Sequence, residues 1–505
     1  MLSGIFGKKS DHPLADIKSA QAFLQELPKS DTHKFVMELT EWIESISENN
    51  DFKLEYQFEV LCLLDDAVQP HTRKLMREYF TPHELGQFQE NRLWMVLSNL
   101  LRQISNAYYL VFERYTQDVK GISAIKMQLP LLLARTVNSL NGHLKFICVR
   151  YEKVDNVIWA NLAKIYEFAE QQQCVDTPVK LYPSMSGSTS VKREAGHMLG
   201  WYGSCVNNLQ PLYMHLTDRL MTQYCESIDM HAQQGKSDLF SFDLSRSAAP
   251  KRVKLDAEES SRKRYVSMAD MQPKLEQLIN TVRKRVVTEE LTLNGLYPAE
   301  LVCEAAQHLL DFMVAPPVRR SERRSVMINM NVVLGYAKMV EHANPVLNFD
   351  MDLSLRWEVE DVSNNGFRTV LPAKGREDVR VGSLLGVWTN GVKNWGVAVV
   401  RRMMLDDANQ LHVGAEMLAN QTHAVALTKS GSGGGAFEDG QIAMWLYGEL
   451  GETGGRVKLL MKLDAFVGQC SLICKLNGQD YLLIPEDQSE RLFDCDLVNF
   501  RAVKQ

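Results

Sequence analysis

The chain has 505 residues, enough for roughly two to four domains. Hydrophobic residues at 45% and charged residues at 23% exclude global disorder, a collagen-like rod and a disulfide-stapled miniprotein. The net charge of −6 argues against wholesale polyanion binding, and the nine scattered cysteines fit reduced thiols in a reducing compartment. No segment approaches the ~20 apolar residues that span a bilayer. The first residues hold no apolar core of the secretory kind, so a soluble cytoplasmic protein is expected.

Residues 1–235 read as a helical domain. Asp11 and Pro13 predict a helix start, and Leu14, Ile17, Phe23, Leu24 and Leu27 then recur near a 3.6 period until Pro28. A second helix from Ser30-Asp31 presents Phe35, Leu39, Trp42, Ile43 and Ile46 on one face. Thr81-Pro82-His83-Glu84 has the form of a capping box. It predicts a long helix through Leu93, Leu97, Leu100, Leu101, Ile104 and Tyr108. Amphipathic stretches over about 121–150, 153–172 and 190–232 complete a bundle or array. Residues 236–317 read as linker and connecting helices. Across this boundary, 233–268 has few large apolar positions and reads as an exposed linker. Helices are expected over 269–290 and 298–314, before the break at Ala315-Pro316-Pro317.

From about residue 318 the period switches to two. Strands are predicted over 332–336, 355–359, 397–403, 410–417, 442–447 and 457–463. Asn477-Gly478 between apolar runs signals a hairpin. Short strands with polar turns predict a β-barrel over 318–425 and a C-terminal β domain over 426–505. The expected fold class is therefore α+β and multidomain: a helical N-terminal domain, a barrel and a C-terminal β extension.

Most motif-like stretches have an ordinary structural explanation. Gly4 and Gly7 before Lys8-Lys9-Ser10 stand too close for a phosphate loop, which also needs a preceding strand. Ser430 and the glycines up to Gly435 read as an inter-strand loop. Pro250-Lys251-Arg252 opens a basic run that resembles a nuclear import signal but reads as solvated linker. Cys470 and Cys474 share one strand face and read as core. Asp65-Asp66 and Asp406-Asp407 read as surface pairs. No zinc spacing and no nucleophile elbow is present, so no catalytic residue, metal or cofactor is expected.

One constellation remains. Arg319, Arg320, Arg323 and Arg324 form two overlapping R-x-x-x-R registers at the start of the β region. Downstream, Asp361, Ser363 and Gly366 fit D-x-S-x-x-G at a strand end. With the strand start at Val381 to Gly386, the strand Asn394 to Val400 and the closing His412 to Met417, roughly residues 318–425 resemble a PilZ domain. Such domains are bacterial receptor modules for cyclic di-GMP. The 37 positions between Arg324 and Asp361 are long for the family, and an insertion near His342 to Asp352 would account for them.

The resemblance implies cyclic di-GMP as ligand and the seven named residues as its site. The chemistry fits. Guanidinium forks bind phosphate oxygens or the O6/N7 edge of guanine, and an ionised Asp361 accepts from guanine N–H groups. Ser363 donates to phosphate. Gly366 permits a positive φ and close backbone approach. The expected function is an effector or adapter coupling this ligand to an unknown protein partner through the helical domain. A ligand-free scaffold is the alternative. Nucleic acid is not expected as a partner, because the basic groups at Lys251-Arg252, Arg262-Lys263-Arg264 and Arg283-Lys284-Arg285 lack interleaved aromatics.

Overall fold

The computed structural model describes residues 12–505 apart from 15, 50, 82–85, 118–121, 206, 254–259, 285, 287, 315–321, 344–354, 364, 373–378, 390–394, 431–439, 447–449, 451–453 and 466–469. The chain divides into two compact units, Met1–Val206 with Pro211–Pro317, and Asn207–Gln210 with Val318–Gln505.

The first unit is mainly helical: α1 (Ile17–Glu26), α2 (Thr32–Glu48), α3 (Leu54–Tyr79), α4 (Gln87–Thr116), α5 (Ile122–Ile125), α6 (Leu129–Cys148), α7 (Asn156–Gln171), α8 (Val191–Cys205), α9 (Pro211–Gln223), α10 (Gln272–Arg283) and α11 (Ala299–Val314). Asp31 caps α2 by accepting from the Lys34 N–H, as its place before the apolar period predicts. The first helix starts later than expected. Asp16 is its cap, while the His12 ring accepts from the Leu14 N–H. The long helix α4 also opens late, at Gln87 after Gly86. Thr81 spends its hydroxyl on the Arg77 carbonyl at the end of α3 (2.7 Å), and Pro82, His83 and Glu84 lie outside the described residues.

Asp65-Asp66 is not a surface pair. Asp65 is fully buried and accepts from the Tyr108 hydroxyl at 2.8 Å. Arg135 on α6, itself 3% exposed, donates to Asp66 at 2.7 Å, to Tyr108 at 2.9 Å and to the Leu181 carbonyl at 2.8 Å. The doublet is half in the core because α3 turns Asp65 inward toward the arginine of a helix far away in sequence.

The stretch read as a linker instead supplies three strands of a four-stranded antiparallel sheet, β2 (Asp238–Asp243), β3 (Lys251–Arg252) and β4 (Lys263–Ser267), which β1 (Asp229–His231), just before it, completes in the order β1-β4-β2-β3. Met230, Phe240, Phe242, Tyr265 and Val266 are its buried apolar residues, and the partner helix supplies the rest. Gly196, Gly200 and Gly203 line one face of α8, and there Ile228, Met268 and Phe240 come within 3.1 Å of where a Cβ would stand. The arginines here are engaged. Arg262 and Arg264 form two-pronged pairs with Glu167 and Glu170 of α7. Arg252 lies over the Phe312 ring at 4.8 Å and donates to the Phe312 carbonyl. No helix among the described residues is long and apolar enough to cross a membrane.

The second unit contains two closed barrels. The first comprises β5 (Arg324–Leu334), β6 (Leu355–Ser363), β7 (Gly366–Pro372), β8 (Leu384–Trp388), β9 (Gly396–Leu405) and β10 (Gln410–Ala419), with α12 (Tyr336–Ala343) after β5. The second comprises β11 (Thr422–Lys429), β12 (Gln441–Leu446), β13 (Gly454–Lys462), β14 (Leu472–Leu476), β15 (Gln479–Arg491) and β16 (Cys495–Lys504). Their connectivity is the same. In each, the first three strands follow one another around the wall, the third pairs with the sixth, and the fourth closes onto the first. The repeat extends to single residues. The fully buried Trp357 and Trp445 precede Gly366 and Gly454 by the same spacing. A Cβ on either glycine would meet a backbone carbonyl, Ala415 at 2.2 Å or Ala502 at 2.1 Å. Asn477 (φ 50°) and Gly478 (φ 83°) make the predicted hairpin turn between β14 and β15.

The barrels share a core. Val333, Met339, Leu384 and Val399 of the first pack with Met444, Leu460, Leu492 and Leu497 of the second. Helix α12 lies in this seam, where the Tyr336 hydroxyl donates to the Ile442 carbonyl at 2.6 Å. It occupies part of the long gap between Arg324 and Asp361. The stretch 344–354, which takes in most of the expected insertion, lies outside the described residues.

Candidate functional site

Strands β5, β6, β7 and β10 lie side by side and bring Arg323, Asp361, Ser363 and Gly366 to one patch of the first barrel's wall. Alternation from Trp357 and Val359, both fully buried, would send Asp361 into the barrel. A β-bulge prevents this. The β6–β7 register shifts between Val359 and Asp361, so Asp361 pairs with Arg368 and Ser363 with Gly366. Phe367, Thr369 and Leu371 are the buried set of β7, so Gly366 and Arg368 belong to its outer face, and Asp361 and Ser363 join them there.

Arg323, just ahead of β5, donates through Nη1 to both carboxylate oxygens of Asp361, at 2.9 and 3.1 Å. The Arg323 side chain is 37% exposed and that of Asp361 18%. A pair this wet contributes about 1 kcal/mol or less, so either partner is free to exchange its bond for a ligand. The Ser363 hydroxyl donates to the Gly366 carbonyl at 3.2 Å across the turn. Arg324 pairs with Val362 through the backbone, and among the described residues its exposed side chain makes no hydrogen bond or ion pair. Arg319 and Arg320 lie outside the described residues, as do Gly4 to Ser10 and the glycines from Gly433 to Gly435.

Gly366 does not have a positive φ, contrary to one of the two expected reasons for it. Its role is close approach: it pairs with Glu416 where β7 meets β10, and the Ala415 carbonyl fills the space a side chain would need. Only glycine lets β10 cross so near the Asp361–Ser363 turn.

Arg368 is a further cation that motif reading passes over. It sits across from Asp361, 3.6 Å from Glu360, and donates to His412 Nδ1 at 2.8 Å. His412 Nε2 in turn meets Asp406 at 2.7 Å, which ties that acidic doublet to the patch. The signal was its placement two residues after Gly366, on the same face of one strand. Together the patch offers the guanidiniums of Arg323 and Arg368, the Asp361 carboxylate and the Ser363 hydroxyl on a rigid wall, with Glu360 and Asp406 beside them. This set can grip a planar polar edge and an anionic group together. Among the described residues no cluster of His, Cys, Asp or Glu could hold a metal ion.

Residues 18–234 match the family model described as the N-terminal domain of the cyclic-di-GMP receptor FimW. The match covers less than half of the chain, lies on the helical unit up to and including β1, and stops short of both barrels. Comparison with curated proteins and with solved structures gives no match.

Proposed function

We propose that the chain is a cytoplasmic, non-enzymatic effector or adapter that binds cyclic di-GMP on a PilZ-type barrel and passes the signal to a protein partner through its helical domain. The observation that carries this reading is the convergence of Arg323, Asp361 and Ser363 on the outer wall of a closed six-stranded barrel. The likeness of residues 18–234 to the N-terminal domain of a cyclic-di-GMP receptor supports it independently, from another part of the chain. In this reading Asp361 leaves Arg323 to accept from a guanine edge. The arginines at 319, 320, 323 and 324 then close over phosphate and base, and Ser363 turns its hydroxyl to phosphate. Because Arg323 is the arginine that meets Asp361, the register of Arg319 and Arg323 is favoured on that face.

Calorimetric titration of the full chain with cyclic di-GMP tests this. A charge-assisted hydrogen bond contributes roughly 1.5–3 kcal/mol. Arg323→Ala and Asp361→Ala should therefore each weaken binding by roughly ten- to a hundredfold while leaving the melting transition in place. Absence of heat and of thermal shift at saturating ligand would sink the proposal. It would favour the second reading, a ligand-free scaffold. One observation favours that alternative: the second barrel keeps the same connectivity although the positions matching Asp361 and Ser363 in the Trp–Gly frame hold Glu449 and Gly451.

A further inference from the structure

The helical unit holds a cavity of about 460 Å³, open to solvent on one side, among α3, α4, α6, α8 and α9, with Leu296 and Tyr297 on its wall. Its size falls in the range of small-molecule sites. Its wall holds a continuous chain of buried polar groups. The Tyr297 hydroxyl meets His215 Nε2 at 2.9 Å. Lys145 Nζ donates to His215 Nδ1 at 2.9 Å and to Asp218 at 2.6 Å. The other Asp218 oxygen lies 3.1 Å from His197 Nε2. Burial pulls the Lys145 ammonium below the usual lysine range, against the opposing pull of Asp218. Burial would raise the Asp218 carboxyl, but Lys145 and His197 outweigh it and hold that group ionised. Lys145 is 4% exposed and uses two of its three N–H donors in this chain.

Burying a lysine in a helical bundle is costly and is not needed to build one. The rest of the lining explains what it is for. Arg77 and Arg219 both act on the Tyr297 hydroxyl electrostatically, and among the described residues neither has a carboxylate within ion-pair distance. Two further cations of the lining, Arg73 and Lys74, contact only the neutral hydroxyls of Ser184 and Thr32 and the Gln69 carbonyl. The two carboxylates of the lining are already committed, Asp218 as above and Asp65 to Tyr108 and Gln69. The cavity therefore carries uncompensated positive charge. Asn141, 5% exposed, also lines it, and its Oδ1 has no hydrogen-bond partner among the described residues.

We propose that this cavity is a second ligand site, separate from the barrel, for a phosphate-bearing small molecule of about mononucleotide size that also carries hydroxyl or N–H donors. Arg77 and Arg219 grip the phosphate with guanidinium forks. The free donor of Lys145 reaches the same anion or a neighbouring oxygen, and Asn141 accepts from a ligand hydroxyl or N–H. The apolar part of the lining, Leu101, Ile104 and Leu296, takes the ligand's carbon skeleton.

The test is calorimetric titration of the full chain with 5′-AMP, ribose 5-phosphate and inorganic phosphate, none of which offers the guanine edge that the barrel site is proposed to read. An organic phosphate should bind saturably, more tightly than inorganic phosphate, and more weakly as salt rises. The surface variant Arg77→Gln/Arg219→Gln should lose about tenfold or more while keeping its helical signal and melting point. The barrel variant Arg323→Ala/Asp361→Ala should bind these probes as the wild type does. Asn141→Leu should weaken the organic phosphate and spare inorganic phosphate. The proposal is overturned if both organic probes bind more weakly than about 1 mM, if inorganic phosphate binds as well as they do, or if Arg77→Gln/Arg219→Gln changes nothing. Loss of binding in the barrel variant would move the site to the barrel and overturn it as well.

Discussion

At the scale of single residues, two glycines of the barrels separate folding from binding. Gly366 and Gly454 occupy matching places, and each lacks room for a Cβ against a backbone carbonyl. A backbone obstacle cannot swing aside as a side chain can, so alanine at either place should cost about 1–3 kcal/mol. Gly366→Ala should also impair cyclic di-GMP binding, since the strand crossing it opens holds the Asp361–Ser363 turn. Gly454→Ala should destabilise and leave affinity intact, and Gly414→Ala, with its nearest neighbour at 3.5 Å, should do neither. Denaturant titration alongside calorimetry separates the three; equal affinity loss at Gly454 would refute the assignment of the site to the first barrel. A second residue-scale effect is acid sensitivity. Burial, aided by Arg102, pushes His143 on α6 down to about 4. Its unfolded-state value near 6.5 is higher, so the unfolded chain binds the proton first, and stability falls as pH drops below about 6.5 until it levels off near 4. From pH 7 to pH 5 this single group should remove about 2 kcal/mol. His143→Gln should flatten that part of the urea-stability profile; an unchanged slope would rule out His143 as its source.

At the scale of elements, the small sheet on α8 shows how packing overrules propensity. Alanine is a better helix former than glycine by about 1 kcal/mol. At Gly203, however, a Cβ would stand 2.3 Å from the Phe240 ring, which is 2% exposed and stacked on Phe312. Overpacking of that kind costs about 1–3 kcal/mol, so Gly203→Ala should lower the melting temperature despite the gain in helix propensity. A raised melting temperature would mean that the sheet does not press on α8. The same sheet shows why 233–268 reads as linker in sequence. Its strands are short, and the face that meets α8 mixes Phe240, Phe242 and Val266 with Arg264, which pairs with Glu170 of α7. Hydropathy alone gives such a segment the profile of solvent-exposed chain.

At the scale of the whole molecule, the second barrel is part of the first one's stability. Each contributes one side of a common apolar seam, so cutting the chain after residue 425 would expose Val333, Met339, Leu384 and Val399 to water. At about 1.5–3 kcal/mol for each large side chain left exposed, a fragment of residues 318–425 should fail to fold, while the full chain folds cooperatively. Circular dichroism and a denaturant titration of the two would decide; a well-folded short fragment would show the seam to be dispensable. If the barrel patch binds ligand as proposed, the doubled barrel supplies the rigidity that holds its arginines and acid in place.

The sequence by itself determined the switch from helical to alternating period near residue 318, the helix cap at Asp31, the hairpin at Asn477-Gly478 and the joint presence of an arginine cluster and an Asp-Ser-Gly motif. These are local: each depends on residues a few positions apart, and backbone preference decides them. Even the matching Trp–Gly spacing of the two barrels stood in the sequence, at 357/366 and 445/454, as a trace of the repeat. Tertiary structure alone decided which way Asp361 faces, because a bulge adds one residue to the count on which alternation depends. It alone buried Asp65 against Arg135, and folded 233–268 onto the glycine face of α8. It alone gathered Arg77, Lys145, Arg219 and Tyr297 around one cavity. In each case the partner lies many residues away, and no local pattern encodes which distant side chain will meet it or how much water will be left between them.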